Sequence, residues 1–60
     1  MNNYYIYEVK AYSTESLIIN IKQNRIRVLE LKKIDEYTYH LKIDVKDNLK
    51  FKKVFYGAKI

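Results

Sequence analysis

The chain has no cysteine and no proline, and only one glycine and one histidine among its 60 residues. Without cysteine, disulfides and thiolate metal sites are excluded. The single imidazole of His40 cannot build a zinc site that needs several histidines, and the single Gly57 cannot supply a glycine-rich phosphate loop. The sequence therefore predicts no metal and no cofactor. The missing cysteine fits a reducing, cytoplasmic compartment.

Long apolar segments and linkers are missing as well. The longest aliphatic run covers residues 17–19, whereas a membrane helix needs about 20 apolar residues. The first residues, MNNYYIYE, lack the basic start and apolar centre of a secretory signal. We expect one small α+β domain over residues 1–60, with no membrane association. A chain this short buries only about 60% of its unfolded surface, so self-association is a common source of added stability.

No residue pattern indicates catalysis. His40 falls on the polar face of a predicted strand, beside Lys42 and Asp44, and a general base needs a pocket and a substrate within reach. The acidic pair at residues 35–36 has neither calcium-loop nor paired-carboxylate spacing. The sequence predicts a protein that is not an enzyme, with no catalytic residue and no small-molecule substrate.

Two segments alternate with the period of a strand. In residues 37–46, five apolar side chains alternate without a break with polar ones, and we expect them to be buried: Tyr37, Tyr39, Leu41, Ile43 and Val45. In residues 4–12, YYIYEVKAY, the predicted buried face comprises Tyr5, Tyr7, Val9 and Ala11.

The remaining segments predict two helices and a middle strand. Residues 13–25 predict a helix that begins at Ser13 or Thr14 and ends near Asn24, because hydroxyls accept from the free amides of a first turn. Its apolar stripe comprises Leu17, Ile18 and Ile21. Residues 26–34 predict a strand with Ile26 against the helix end and with buried Leu29 and Leu31.

Residues 47–57 predict a second helix. Phe51, Val54 and Phe55 share one of its faces, and Gly57 would end it in a left-handed conformation. Residues 58–60 are expected to begin a short last strand. The resulting order is a ferredoxin-like split βαββα with a missing or vestigial fourth strand. Both helices then cover one face of an antiparallel sheet, and the first strand becomes an exposed edge.

The charge is +5, and most of the excess lies in residues 31–60, which hold eight lysines and four acids, a net of +4. A basic balance favours acidic proteins or nucleic acid as partners. The first hypothesis is a non-enzymatic protein-interaction module that forms a homodimer or docks on a larger protein through the strand edge and the second helix. Its candidate partner-binding residues are Tyr4, Ile6, Lys10, Tyr12, Lys50 and Lys53.

The alternative is sequence-tolerant nucleic-acid binding by a basic and aromatic open sheet face. Its candidate residues are Lys10, Tyr12, Lys42 and Lys46. The third strand offers no aromatic residue on that face, because its tyrosines fall on the same side of the strand as the residues predicted to be buried.

The chain also resembles the N-terminal domain of the YqfD-type sporulation protein family. The similarity lies in the apolar helix of residues 17–21, the Ile26-x-Val28 entry into the middle strand, Lys32-Lys33, and the alternation over residues 37–47. The resemblance implies a small βαββα unit and a link to sporulation. Members of that family are longer and membrane-associated, so a free-standing copy is expected to act as a small adaptor or inhibitor.

Overall fold

The computed structural model describes residues 3–60, except for the side chain of Ala58. Four strands and two helices follow one another along the chain. They are β1 (Tyr4–Lys10), α1 (Thr14–Gln23), β2 (Val28–Lys33), β3 (Thr38–Asp44), α2 (Asn48–Val54) and β4 (Ala58–Lys59), with a 3₁₀ turn at Val45–Asp47 before α2.

The strands form one antiparallel sheet in the order β2-β3-β1-β4. Tyr7 of β1 lies opposite Leu41 of β3, which lies opposite Leu31 of β2. The two-residue β4 pairs only with Tyr7 and Glu8. This is the predicted ferredoxin-like split βαββα arrangement, and its fourth strand is vestigial.

The core lies between the sheet and the two helices, which cover the same sheet face. Alternate residues of β1 and β3 point towards the helices, and α1 and α2 each add the apolar side chains of one face. The buried cluster comprises Tyr7, Val9, Leu17, Ile21, Ile26, Tyr39, Leu41, Ile43 and Phe51. The alternation in β3 therefore predicts its buried side correctly over Tyr39, Leu41 and Ile43.

Hydrogen bonds fix both ends of α1, and the sequence indicates those at its start. Ser13 is the N-cap and accepts from the Ser16 amide, while the Ser16 side chain accepts from the Ser13 amide. At the other end, Arg25 N donates to Lys22 O and Ile26 N donates to Ile21 O, each at 3.1 Å. This Schellman pairing places Arg25 at φ 53°, in the left-handed region.

The predicted burial of Leu29 is wrong. A register shift between Val28 and Glu30 places an extra residue in β2 opposite β3, so the alternation changes phase at that point. Val28 and Leu31 both pack against the core, and the side chain of Leu29 is 49% exposed.

The predicted burial of Tyr37, Val45 and Ile18 is also wrong. Tyr37 and Val45 lie just outside the two ends of β3 and are exposed. Ile18 lies at the margin of the α1 stripe and is exposed as well. Thr38, one of the polar residues of the predicted alternation, is buried as well, and its hydroxyl accepts a hydrogen bond from Lys10 Nζ at 2.6 Å.

Gly57 does not end α2 in a left-handed conformation. The helix ends at Val54, and Phe55 is extended, while Gly57 has no positive φ. A Cβ at Gly57 would lie 2.8 Å from Val9 Cγ1 and 3.2 Å from the Glu8 carbonyl oxygen. Glycine is needed here because the returning chain passes close to β1.

Candidate interaction surface at the first-strand edge

The direction of the β1 backbone groups follows from one hydrogen bond. Ala11 N donates to Tyr37 O at 2.9 Å, on the side of β3. Because successive residues of a strand direct their amides and carbonyls to opposite edges, the backbone groups of Lys10 face the other edge. That edge of β1 is the one that β4 adjoins.

β4 covers only part of this edge. Ile60 N donates to Ile6 O at 2.9 Å, and Ala58 lies opposite Glu8. Within residues 3–60, no strand lies opposite Lys10 on this side. The backbone N–H and C=O of Lys10 are therefore free to pair with an added strand.

A groove of about 640 Å³ runs beside this free edge. Leu17 and Phe55 contribute to its apolar floor, since Leu17 is buried and Phe55 is half-buried. Tyr12, which is 90% exposed, and the fully exposed Tyr56 stand at its rim. Its complete lining is Val9, Lys10, Ala11, Tyr12, Ser16, Leu17, Asn20, Val54, Phe55 and Tyr56.

The groove exists because of the path that the chain takes after α2. Phe55 N donates to Phe51 O at 2.9 Å, and the two rings stack at 5.0 Å between centroids. These contacts hold the end of α2 away from β1, and the chain returns to β1 only at Gly57. The space between the two segments stays open to solvent.

The open face of the sheet, which the helices do not cover, carries pairs of basic and acidic side chains. His40 lies 3.0 Å from Glu8, and Lys42 lies 3.3 Å from Glu30. Lys42 also sits 4.5 Å above the ring of Tyr4. Lys42 and His40 therefore each have an acidic partner on this face. Lys10 bonds to the Thr38 hydroxyl instead, and Lys32 makes no ion pair within residues 3–60.

The predicted partner-binding residues fall in three places. Lys10 and Tyr12 line the groove, whereas Tyr4 and Ile6 lie half-buried towards the other end of β1. The remaining two lie on α2: the Lys50 Nζ is 3.2 Å from Arg25 O and 3.7 Å from the Asp47 carboxylate, and Lys53 is exposed. Only the pair at the groove shares one surface with the free edge.

The structure does not bring the predicted nucleic-acid residues together. Lys46 follows the end of β3 that pairs with Tyr4, while Tyr12 follows the end of β1 that pairs with Thr38. A seven-residue strand separates these ends by about 20 Å. Lys42 lies between them and is paired with Glu30. Nucleic-acid binding through this set stays a prediction.

Sequence reasoning missed the wall of the groove formed by residues 54–56. The helical stripe places Val54 and Phe55 in the core, and it says nothing about the chain that follows. The one available signal is the lone Gly57, since an isolated glycine often marks a close approach between two backbones. Such an approach implies that the preceding Tyr56 lies near β1.

The buried tyrosine of β1 has a packing role. Burial, and secondarily the neighbouring Tyr5, raise the pKa of Tyr7 above its usual value. Its hydroxyl donates to the side-chain oxygen of Asn48 at the start of α2. Tyr7 therefore stays protonated and links β1 to α2.

Neither helix within residues 3–60 has the length and hydropathy to cross a membrane. Across the same residues, no group of three or more His, Asp or Glu side chains converges into a metal-binding cluster. No protein-family model, curated protein or solved structure matches the chain.

Proposed function

We propose that this chain is a non-enzymatic protein-interaction module, acting as a small adaptor or inhibitor. It binds an extended segment of a partner protein at the free end of β1. The observation that supports this most directly is the free backbone pair of Lys10 beside an apolar groove. The absence of cysteine supports a reducing, cytoplasmic setting for this role.

Strand addition explains why the edge and the groove lie together. An added strand gains affinity from main-chain hydrogen bonds and specificity from pockets for alternate side chains. Lys10 supplies the main-chain groups, and the floor around Leu17 and Phe55 supplies the pocket. Tyr12 and Tyr56 are exposed on its rim, and tyrosine is enriched among residues that dominate binding energy.

Replacing Lys10 by proline tests this function. Panning a random peptide library on the immobilised full chain provides ligands, and their affinities are measured by titration. We expect Lys10→Pro to weaken binding about tenfold or more, because proline removes the N–H that pairs with an added strand. Proline is compatible with the fold at an edge whose amide faces solvent.

Lys10→Ala is the matched control, because it removes the same side chain and its contact with Thr38 but keeps the N–H. We expect the alanine variant to retain most of the affinity. Equal losses in both variants would show that the side chain matters and the strand edge does not. Failure to select any peptide on the wild-type chain would count against the proposed function itself.

A further inference from the structure

We infer that the partner segment is acidic as well as extended, an inference that rests on the proposed function. The starting observation is the charge of α2, which carries three lysines and no acidic residue in its seven positions. Lys52 and Lys53 lie in its last turn, are exposed, and immediately precede Val54, which lines the groove. We expect a segment that runs past Val54 to come near the end of α2 that carries these two lysines.

The groove itself carries no negative charge to oppose an acidic ligand. None of the residues that the structure places along it is acidic, and the ammonium group of its one lysine, Lys10, lies against the Thr38 hydroxyl. Lys50 differs from the other α2 lysines because Asp47 and the Arg25 carbonyl already hold it. The two lysines of the last turn make no ion pair within residues 3–60.

The geometry of a strand fixes the rest of the ligand pattern. A segment paired at Lys10 has successive side chains on opposite faces of the sheet. The side chains on the helix side meet the apolar floor at Leu17 and Phe55. We therefore expect apolar residues at every second position, followed by acidic residues beyond the groove, next to α2.

A second copy of this chain fits the site less well than an acidic segment does. Pairing two β1 edges through their free ends brings Lys10 of one copy close to Lys10 of the other, and like charges on adjacent strands are destabilising. Each copy also carries a net charge of +5. The observations thus favour a partner of opposite charge.

Charge reversal tests the inference with the same peptide library as probe. We expect peptides selected on the full wild-type chain to be rich in Asp and Glu beside alternating apolar residues. The double variant Lys52→Glu/Lys53→Glu should weaken their binding about tenfold. The matched control, Lys32→Glu/Lys33→Glu in β2, changes net charge equally at the far edge of the sheet and should change affinity less than about threefold.

Each other result has a distinct meaning. Peptides that lack acidic residues, or equal losses in the two double variants, overturn the acidic-segment inference. If binding of those peptides still depends on the Lys10 amide, the proposed function stands even though the acidic-segment inference is overturned. A doubled mass in light scattering that Lys10→Pro abolishes identifies a second copy as the occupant and also overturns the inference.

Discussion

At the scale of single residues, two positions are constrained by the backbone in ways that the residue type does not indicate. Arg25 adopts φ 53° to complete the Schellman pairing after α1, although a Cβ is disfavoured there. Gly57 has no positive φ, and glycine is needed there because a Cβ would lie 2.8 Å from Val9 Cγ1. An arginine therefore occupies the position whose left-handed conformation favours glycine. The only glycine of the chain lies where two backbone segments pass close to each other.

Replacing Arg25 by glycine is expected to stabilise the fold. Glycine reaches positive φ without the steric cost of a Cβ, so the free energy of unfolding should rise by about 0.5–1 kcal/mol. Urea denaturation measures this change. Arg25→Ala keeps the Cβ and removes only the charged side chain, so it should not stabilise. Equal stabilisation by both variants would attribute the gain to loss of charge.

At the scale of elements, the β2–β3 hairpin shows what sequence patterns can and cannot predict. The β3 alternation is regular and gave the correct buried side at Tyr39, Leu41 and Ile43. Which residues of β2 are buried was not predictable, because a one-residue bulge near Leu29 leaves no recognisable mark in the hydrophobic pattern. The exposure of Tyr37 and Val45 was missed for another reason: both continue the alternation of β3 beyond its ends at Thr38 and Asp44, where they are no longer covered by the core.

The turn of this hairpin has a pH dependence that can be measured. Asp35 Oδ1 accepts from Thr38 N at 2.9 Å and from Tyr37 N at 3.1 Å. Hydrogen bonding from the Thr38 side chain first, and then from the Tyr37 amide, lowers the pKa of Asp35. The ionised carboxylate therefore favours the folded state.

The sign of the effect follows from the lower folded pKa. The stabilisation is present above the unfolded value of about 3.9 and is lost as the pH falls through the folded value. We expect Asp35→Asn to be less stable than wild type at about pH 7, with the gap narrowing below about pH 4. Urea denaturation across this range measures the gap. Glu36→Gln, which alters a neighbouring carboxyl with no hydrogen bond within residues 3–60, should show no such narrowing.

At the scale of the whole molecule, one buried cluster supports the entire fold. Phe51 is its only member from α2, and its ring lies 4.5 Å from the ring of Tyr7. A domain of this size without disulfides or metals has about 3–5 kcal/mol of stability. The free energy lost when one large core side chain is removed is comparable with that total stability.

Phe51→Ala is therefore expected to leave the chain largely unfolded at room temperature. The cavity left by a phenylalanine costs about 3–5 kcal/mol. Circular dichroism and amide chemical-shift dispersion report the outcome. Leu49→Ala, on the same helix but at a side chain that is 75% exposed, should keep the folded spectrum. A folded Phe51→Ala would show that α2 contributes little to stability.

The candidate surface was predictable only in part, also for reasons at this scale. The sequence indicates a short last strand and hence an exposed β1 edge with Lys10 and Tyr12 on it. The opposite wall depends on how the chain travels from Val54 to Gly57, a path set by the stacking of Phe51 on Phe55. Tyr4 and Ile6 belong to the same strand, but they lie towards its other end, away from the groove.

The strand order also has a consequence for synthesis of the chain. Both neighbours of β1 in the sheet, β3 and β4, come later in the sequence. During synthesis β1 is made before both of its neighbours, so Tyr7 and Val9 have no strand to pair with until β3 has followed. The β2–β3 hairpin forms from adjacent segments and needs no such wait. We therefore expect the β2–β3 hairpin to form before β1 joins it, and until then β1 is the strand most open to misassociation.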